Sequence, residues 1–244
     1  DVEFQHNLEL RDDLRFVWGA SARLDQVGAK EFFNRLSHTD FFNKYTYRLF
    51  AHSEWKPSTA WTINAGIMLE NNDITGTDLS PRFSVNHHFN DNHTLRASYS
   101  KALRTPSTLE EHADSASELS NGMRLDQLLV SYGGLDPEKL TSLELAYIGH
   151  FPKYGLDLDV KVFYDQVRDV LVQYQDEHYD DFIGVELEPI IGEPGSVQIF
   201  GNAGYSNSKG LEAQLDYNLF RGTRVHLGYT ILDVEGRTTD DIND

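Results

Sequence analysis

The sequence predicts an all-β fold, an antiparallel barrel that crosses a membrane, and three regularities carry that reading. First, apolar and polar residues alternate through ten segments of the 244-residue chain, the period of a strand whose two faces meet different surroundings. Second, the faces differ sharply in charge. Of 48 positions on the apolar face only Lys101 is charged, whereas the interleaved positions carry 13 charges, among them Arg15, Arg23, Arg48, Arg96, Glu144, Asp157, Asp159, Lys161, Glu212 and Asp216. A soluble sandwich also alternates, but so clean a face repeated over ten strands suits lipid better. Third, every other connection is tight, at 11–13, 56–58, 90–92, 152–155 and 221–223, and those between are long and uneven. Short periplasmic turns and long extracellular loops are the plan of an outer-membrane barrel.

Taken in order, Val2 to Leu10 sets Val2, Phe4, His6, Leu8 and Leu10 against Glu3, Gln5, Asn7 and Glu9. After the turn Arg11-Asp12-Asp13, Leu14 to Leu24 places Leu14, Phe16, Trp18, Ala20, Ala22 and Leu24 on one side. A loop over about 25–44 leads to Tyr45 through Trp55, the turn Lys56-Pro57-Ser58 and Trp61 through Leu69, which reads as a hairpin. A shorter loop over 71–79 precedes Phe83, Val85, His87 and Phe89, and Asn90-Asp91-Asn92 turns into Leu95, Ala97, Tyr99, Lys101 and Leu103. Proline cannot donate to a ladder, so the chain leaves the sheet at Arg104-Thr105-Pro106 and returns near Leu135-Asp136-Pro137-Glu138. Leu143, Leu145 and Tyr147 then reach the turn at 152–155, and Leu156 to Tyr164 climbs away from it. A second long loop, about 175–206, separates that strand from Leu211 to Leu219 and, past 221–223, Val225 to Ile231. Trp55, Trp61, Phe89, Phe151, Tyr154 and Phe220 sit beside the tight turns, where an aromatic girdle meets the lipid interface.

The strand ending R-T-P with Glu110 behind it, the D-P-E segment with Leu135, the strand S-L-E-L-A-Y from Ser142, and Asn207-Ser208-Lys209-Gly210-Leu211-Glu212 occur in a telling order. Together they resemble the barrel of TonB-dependent outer-membrane receptors. There an R-x-P and a Glu precede a long loop, an N-P-x-L-x-P-E-like segment and an S-x-E-L-x-Y strand, and N-x-x-x-G-x-E often opens a later strand. Leu135-Asp136 stands where Asn-Pro is common, and the first proline is missing. The resemblance implies a 22-strand type of barrel closed around a plug, of which these ten strands are part. It also implies energy-coupled import: a scarce ligand binds the outer loops and plug, and TonB pulls on the plug to open a path, with no chemistry on the substrate. Siderophore import leads on family frequency, with cobalamin or haem receptors of the family, and a passive pore or adhesin barrel, as alternatives.

Composition narrows the remaining classes. A net charge of −18 without a basic run argues against nucleic acid, and no stretch approaches 18 apolar residues, so a helical span is excluded. Zero cysteines leave the compartment open. There is no G-x-S-x-G, H-E-x-x-H, P-loop or G-x-G-x-x-G, so the expectation is a non-enzyme that needs no cofactor. The chain reads as one barrel domain over 1–244, cut at both ends, with plug and TonB-binding segment outside it. It is expected to be monomeric and to meet outer-membrane lipid and lipopolysaccharide.

Recognition belongs on loops that a rigid scaffold presents. The two longest loops offer Arg104, His112, Arg124, Tyr132, Tyr174, His178, Tyr179 and Phe182 as ligand contacts. In haem receptors of the resembled family a histidine commonly lies between R-x-P and the N-P-x-L segment, and neutral imidazole can bind haem iron. His112 occupies that interval. Asp176, Glu177, Asp180, Asp181, Glu186, Glu188 and Glu193 would repel an anionic ferric siderophore unless plug cations compensate, and such carboxylates could instead hold Ca²⁺ or bridge divalent ions to lipopolysaccharide. The intact protein is expected to fractionate with outer membranes and to require detergent; a soluble, detergent-free monomer would remove the barrel reading.

Overall fold

The computed structural model describes residues 1–29, 32–33, 41–118, 124–176, 197–220 and 222–238. Ten long strands form the wall: β1 (Val2–Arg11), β2 (Leu14–Val27), β3 (Phe42–Ser58), β4 (Trp61–Asn72), β5 (Gly76–Asn90), β6 (His93–Arg104), β9 (Glu138–Phe151), β10 (Leu156–Asp176), β11 (Val197–Phe220) and β12 (Thr223–Thr238). They are the ten the alternation predicts, and each pairs antiparallel with its neighbour in the wall. Two shorter strands, β7 (Asp114–Glu118) and β8 (Arg124–Val130), belong to the excursion between β6 and β9, which also holds a short helix, α1 (Thr108–His112).

Several boundaries differ from the sequence reading. Lys56-Pro57-Ser58 is not the turn: β3 continues through it, and the register shifts between Trp55 and Ser58, so Pro57 falls where no ladder bond is demanded. The turn is Thr59-Ala60. The expected loop over 71–79 shrinks to 73–75, because Asn72 Oδ1 accepts from the backbone N–H of Ile74 and of Thr75, each at 2.9 Å, and makes a tight side-chain-closed turn. The expected loop over 175–206 begins later and ends earlier, since β10 and β11 stay paired out to Asp176–Val197. The first long loop is folded rather than plain, as described below.

The two faces behave as the charge pattern requires. Phe4, Leu49, Ile67, Phe83, Leu145, Val162, Leu227 and Ile231 all stand exposed on the outward side, a surface that water would penalise and hydrocarbon covers. Trp55 donates its indole N–H to Asp13 Oδ2 at 3.2 Å while the ring stays exposed, the geometry of an interfacial tryptophan. Tyr45 and Trp55 mark the two rims of this side. Ten residues of tilted strand between them give a band about 25 Å tall. On the inward side charges pair across neighbouring strands: Arg48 with Glu70 at 2.7 Å, Arg96 with Glu144 at 2.8 Å, Lys161 with Glu212 at 2.8 Å and Arg224 with Asp216 at 3.0 Å.

A one-sheet wall has no interior of its own, so the buried apolar residues lie almost wholly beyond it. Among the described residues Phe33, Ala113, Val130, Leu135 and, at the outer end of β11, Val197 and Ile199 are buried at the long-loop end, and Ala146 is the one buried apolar side chain at mid-wall. Val162 sits at the middle of the outward face, flanked in register by Leu145 and Leu211. Replacing it by Arg should destabilise the folded barrel by about 2–4 kcal/mol. Inward Gln214→Ala should cost far less, both read from urea unfolding in lipid vesicles.

Candidate ligand-facing cap

The cap is built from the end of β6 outward. Arg104, the last residue of that strand, donates from Nε to Glu138 Oε2 at 2.6 Å and from Nη1 and Nη2 to the two carboxylate oxygens of Glu110 at 3.1 and 3.0 Å. One guanidinium thus joins the departing strand, the helix of the excursion and the returning strand through charge-assisted bonds. Glu138 Oε1 accepts from the Leu171 N–H at 2.8 Å and carries the tie into β10. Below the clamp, Thr105 donates to Glu70 Oε1 at 3.1 Å, and Lys44 reaches the Pro106 carbonyl at 3.3 Å.

Helix α1 is short and depends on its cap. Ser107 accepts from the Glu110 N–H at 3.2 Å, and Glu110 Oε2 accepts in return from the Ser107 N–H at 2.7 Å, a capping box that follows Pro106. Burial works to raise the Glu110 carboxyl, but the bonds from Arg104 and Ser107 outweigh it and hold the group below the usual carboxylate range.

The far side of the helix is latched by Glu111, which is 8% exposed. Its carboxylate accepts from the Gly134 N–H at 2.6 Å and the Leu135 N–H at 3.2 Å. Both N–H groups converge on one side chain because Gly133 and Gly134 take φ of 70° and 71°, a left-handed turn that other residues rarely adopt. Ser131 donates its hydroxyl to the Glu110 carbonyl and its N–H to the Ala113 carbonyl. Asp114, 2% exposed, accepts from Gln127 Nε2 at 3.0 Å, and its N–H bonds the Phe32 carbonyl at 2.8 Å. Strand β8 then pairs parallel with β11 through Leu129–Gln198 and Val130–Ile199. Val130, Val197 and Ile199, with Tyr174 against them, make a small apolar core. Asn202 closes the base: it accepts from the Asp136 N–H and donates to the carbonyls of Asp136 and Asp169, each at 2.8 Å.

The residues expected to meet ligand occupy different positions in this cap. Arg104 is engaged with two carboxylates and acts as its fastener. His112 stacks on Phe42 at 4.5 Å and 6° between ring planes, with Phe42 edge-on to Phe33. The water lost to that packing lowers the imidazole below its ordinary value, so the ring is neutral near pH 7. Tyr174 packs against the core, and Tyr132 is 43% exposed beside buried Ser131. Arg124 opens β8, whereas His178, Tyr179 and Phe182 lie outside the described residues. The sequence reading missed Glu111, Gln127 and Asn202. Of these only the S-x-x-E capping box next to Glu111 leaves a sequence signature. Among the described residues no three His, Asp or Glu converge to hold a metal. The cap can therefore present aromatic and hydrogen-bonding groups above the wall.

The family described as "TonB dependent receptor-like, beta-barrel" matches residues 1–244. A search of curated proteins returned no match. Among solved structures, the FrpB iron transporter from Neisseria meningitidis (F3-3 variant) aligns with TM-score 0.67 at 13% identity over 97% of this chain and 35% of its own. The R480A mutant of the ferric enterobactin receptor PfeA from Pseudomonas aeruginosa, in complex with enterobactin, aligns with TM-score 0.69 at 17% identity over 94% and 35%. The siderophore receptor PirA from Acinetobacter baumannii gives 0.69 at 15% identity over 94% and 35%. The chain thus spans about a third of the length of these proteins.

Protonating Glu110 should loosen the cap. Because its carboxyl is depressed in the folded state, its contribution is complete above the unfolded carboxyl range near pH ~4.3 and is lost as pH falls through the lower folded value. Hydrogen exchange at residues 107–113, corrected for intrinsic rates, should rise in that acid window in the wild type and be raised at neutral pH in Glu110→Gln. Arg104→Ala should weaken the same segment by about 1–2 kcal/mol, discounted for the partial exposure of the guanidinium.

Proposed function

The chain belongs to the TonB-dependent receptor family, and from that premise we propose that it supplies part of the wall and the ligand-facing cap of an outer-membrane receptor that imports a ferric siderophore by TonB-coupled transport. The observation that carries this reading is the cap itself. A folded excursion, fastened at its base by Arg104, Glu110 and Glu138, is held over the long-loop end of the wall and leaves Tyr132 exposed. A receptor gains affinity by fixing its contacts before ligand arrives, and a preorganised cover meets that need.

The iron cargo draws support from the similar structures, which are by their own descriptions an iron transporter and two siderophore receptors. In this reading the plug and the TonB-binding segment lie outside residues 1–244, the receptor works as a monomer, and its outward face meets lipid and lipopolysaccharide. Nothing in the cap is asked to react with the cargo. Its aromatic and amide groups hold the chelate while TonB draws on the plug.

Uptake of a radiolabelled ferric siderophore by cells bearing the full-length receptor tests the proposal. Accumulation should stop when the proton gradient is dissipated, and excess haem or cobalamin should not compete. Tyr132→Ala should weaken binding about tenfold, the scale of one aromatic contact. Outward Tyr99→Ala at equal surface abundance should leave it unchanged. Accumulation that continues after uncoupling would identify a passive pore.

A further inference from the structure

Most inward cations of the wall have a partner; Lys44, with no carboxylate within 4 Å among the described residues, is met instead by the Pro106 carbonyl at 3.3 Å. Arg15, Arg23, Arg48, Arg96, Lys161 and Arg224 each have a carboxylate within 4 Å. Arg82, on β5, has none among the described residues. Its backbone position is set by strand pairing, and its side chain is exposed on the inward surface. It stands in register between Gly66 of β4 and Ser100 of β6, and Gly66 is itself opposite His52 of β3. A side chain at residue 66 would meet Arg82 Nε at 2.7 Å and Cγ at 2.9 Å, with His52 Nδ1 at 3.2 Å. The arginine therefore lies flat across the glycine, beside the histidine, with its guanidinium laid along the wall.

Around it is a niche of about 370 Å³ lined by His52, Asn64, Ser84, Ser98 and Ser100 on the inward side. These are hydroxyl, amide and imidazole groups that can donate to an oxyanion. Its one acid, Glu144, is already bonded to Arg96 at 2.8 Å. Two buried nitrogens beside the niche lack a hydrogen-bond partner among the described residues: His52 Nδ1, and Arg96 Nε, which can only donate. An unmet buried donor at Arg96 beside an unpaired cation describes half of an ion pair.

We propose that Arg82 is the counter-charge for a carboxylate side chain of polypeptide that fills the lumen, with His52, Ser84 and Ser100 bonding the same group. This rests on the receptor reading above, in which a plug occupies the barrel, and on a chain that spans about a third of its solved relatives. A packed domain that covered this wall with Arg82 unpaired would bury a bare charge, a strongly unfavourable arrangement, so the covering segment must bring the anion. A free anion shares the chemistry but would come and go, and the test separates the two.

The full-length receptor is reconstituted in planar bilayers and challenged with urea below the unfolding range of the barrel. The wild type should conduct little. Arg82→Glu, which sets two carboxylates against each other, should open conducting events at several-fold lower urea, and Arg82→Gln, which keeps the volume, should fall between. Heat-modifiable gel mobility confirms that both variants retain the folded barrel. Conductance of Arg82→Glu identical to wild type would overturn the pairing. Closure that depends on added phosphate or acetate in the wild type, and loses that dependence in Arg82→Gln, would overturn it in favour of a mobile anion. A wild type already open without urea would instead overturn the occupied lumen, and the pairing with it.

Discussion

Hydrocarbon offers no partner to a charge or a backbone dipole, and that single constraint orders the whole wall. Every ladder bond must be made between strands, every charge but Lys101 must leave the 48 outward positions of the alternating band, and what leaves them must find partners inward. The pairs Arg48–Glu70, Arg96–Glu144 and Lys161–Glu212 meet the last demand laterally, each bridging neighbouring strands. Lys161 also lies 3.7 Å from Glu144, so Arg96, Glu144, Lys161 and Glu212 form a chain of alternating sign across β6, β9, β10 and β11. Such a chain is worth less per bond than a buried pair. It fixes register, however, since a one-residue slip would send each member into lipid.

Beyond the membrane the constraint lifts, and the chain reverts to the rules of a soluble domain. Only there does it bury Phe33, Val130, Val197 and Ile199, cap a helix and enclose Asp114 with Gln127. The join between the two regimes is Arg104. The excursion over 105–137 would be costly to order if its ends were free, but the guanidinium fastens its first helix and its returning strand to one point. Loop sequence between those anchors can then vary for recognition without disturbing the wall.

The wall was legible because its signal is local and repeated. A period of two survives in each strand whatever its partner, and the ten strands with their faces follow from it. Their ends were less legible. Pro57 reads as a turn until a bulge makes room for it, and Gly201-Asn202-Ala203-Gly204 reads as a loop although β10 holds it in register. The cap was legible only at its anchors, R-T-P with Glu110 and the D-P-E segment. Its strands β7 and β8 are short, and the parallel pairing of Leu129 and Val130 with Gln198 and Ile199 joins residues about seventy apart. No periodicity reports such a contact. Glu111 was invisible for the same reason, because its partners at Gly134 and Leu135 are supplied by the fold.

The distribution of charge ties the two regimes together. The chain carries 39 acidic residues against 21 basic ones, so inward cations are the scarcer species and can be expected to be taken up by the acids around them. Arg48, Arg96 and Lys161 are, and Arg104 is taken up twice. Against that background Arg82, laid over a glycine and without an acid among the described residues, is informative. With so many carboxylates to hand, the wall could have neutralised Arg82 by one substitution at Ser84 or Ser100. In the proposed pairing, leaving it bare keeps a positive point for a lumen-filling segment to meet, and the position of that point limits which segment can sit there and in what orientation.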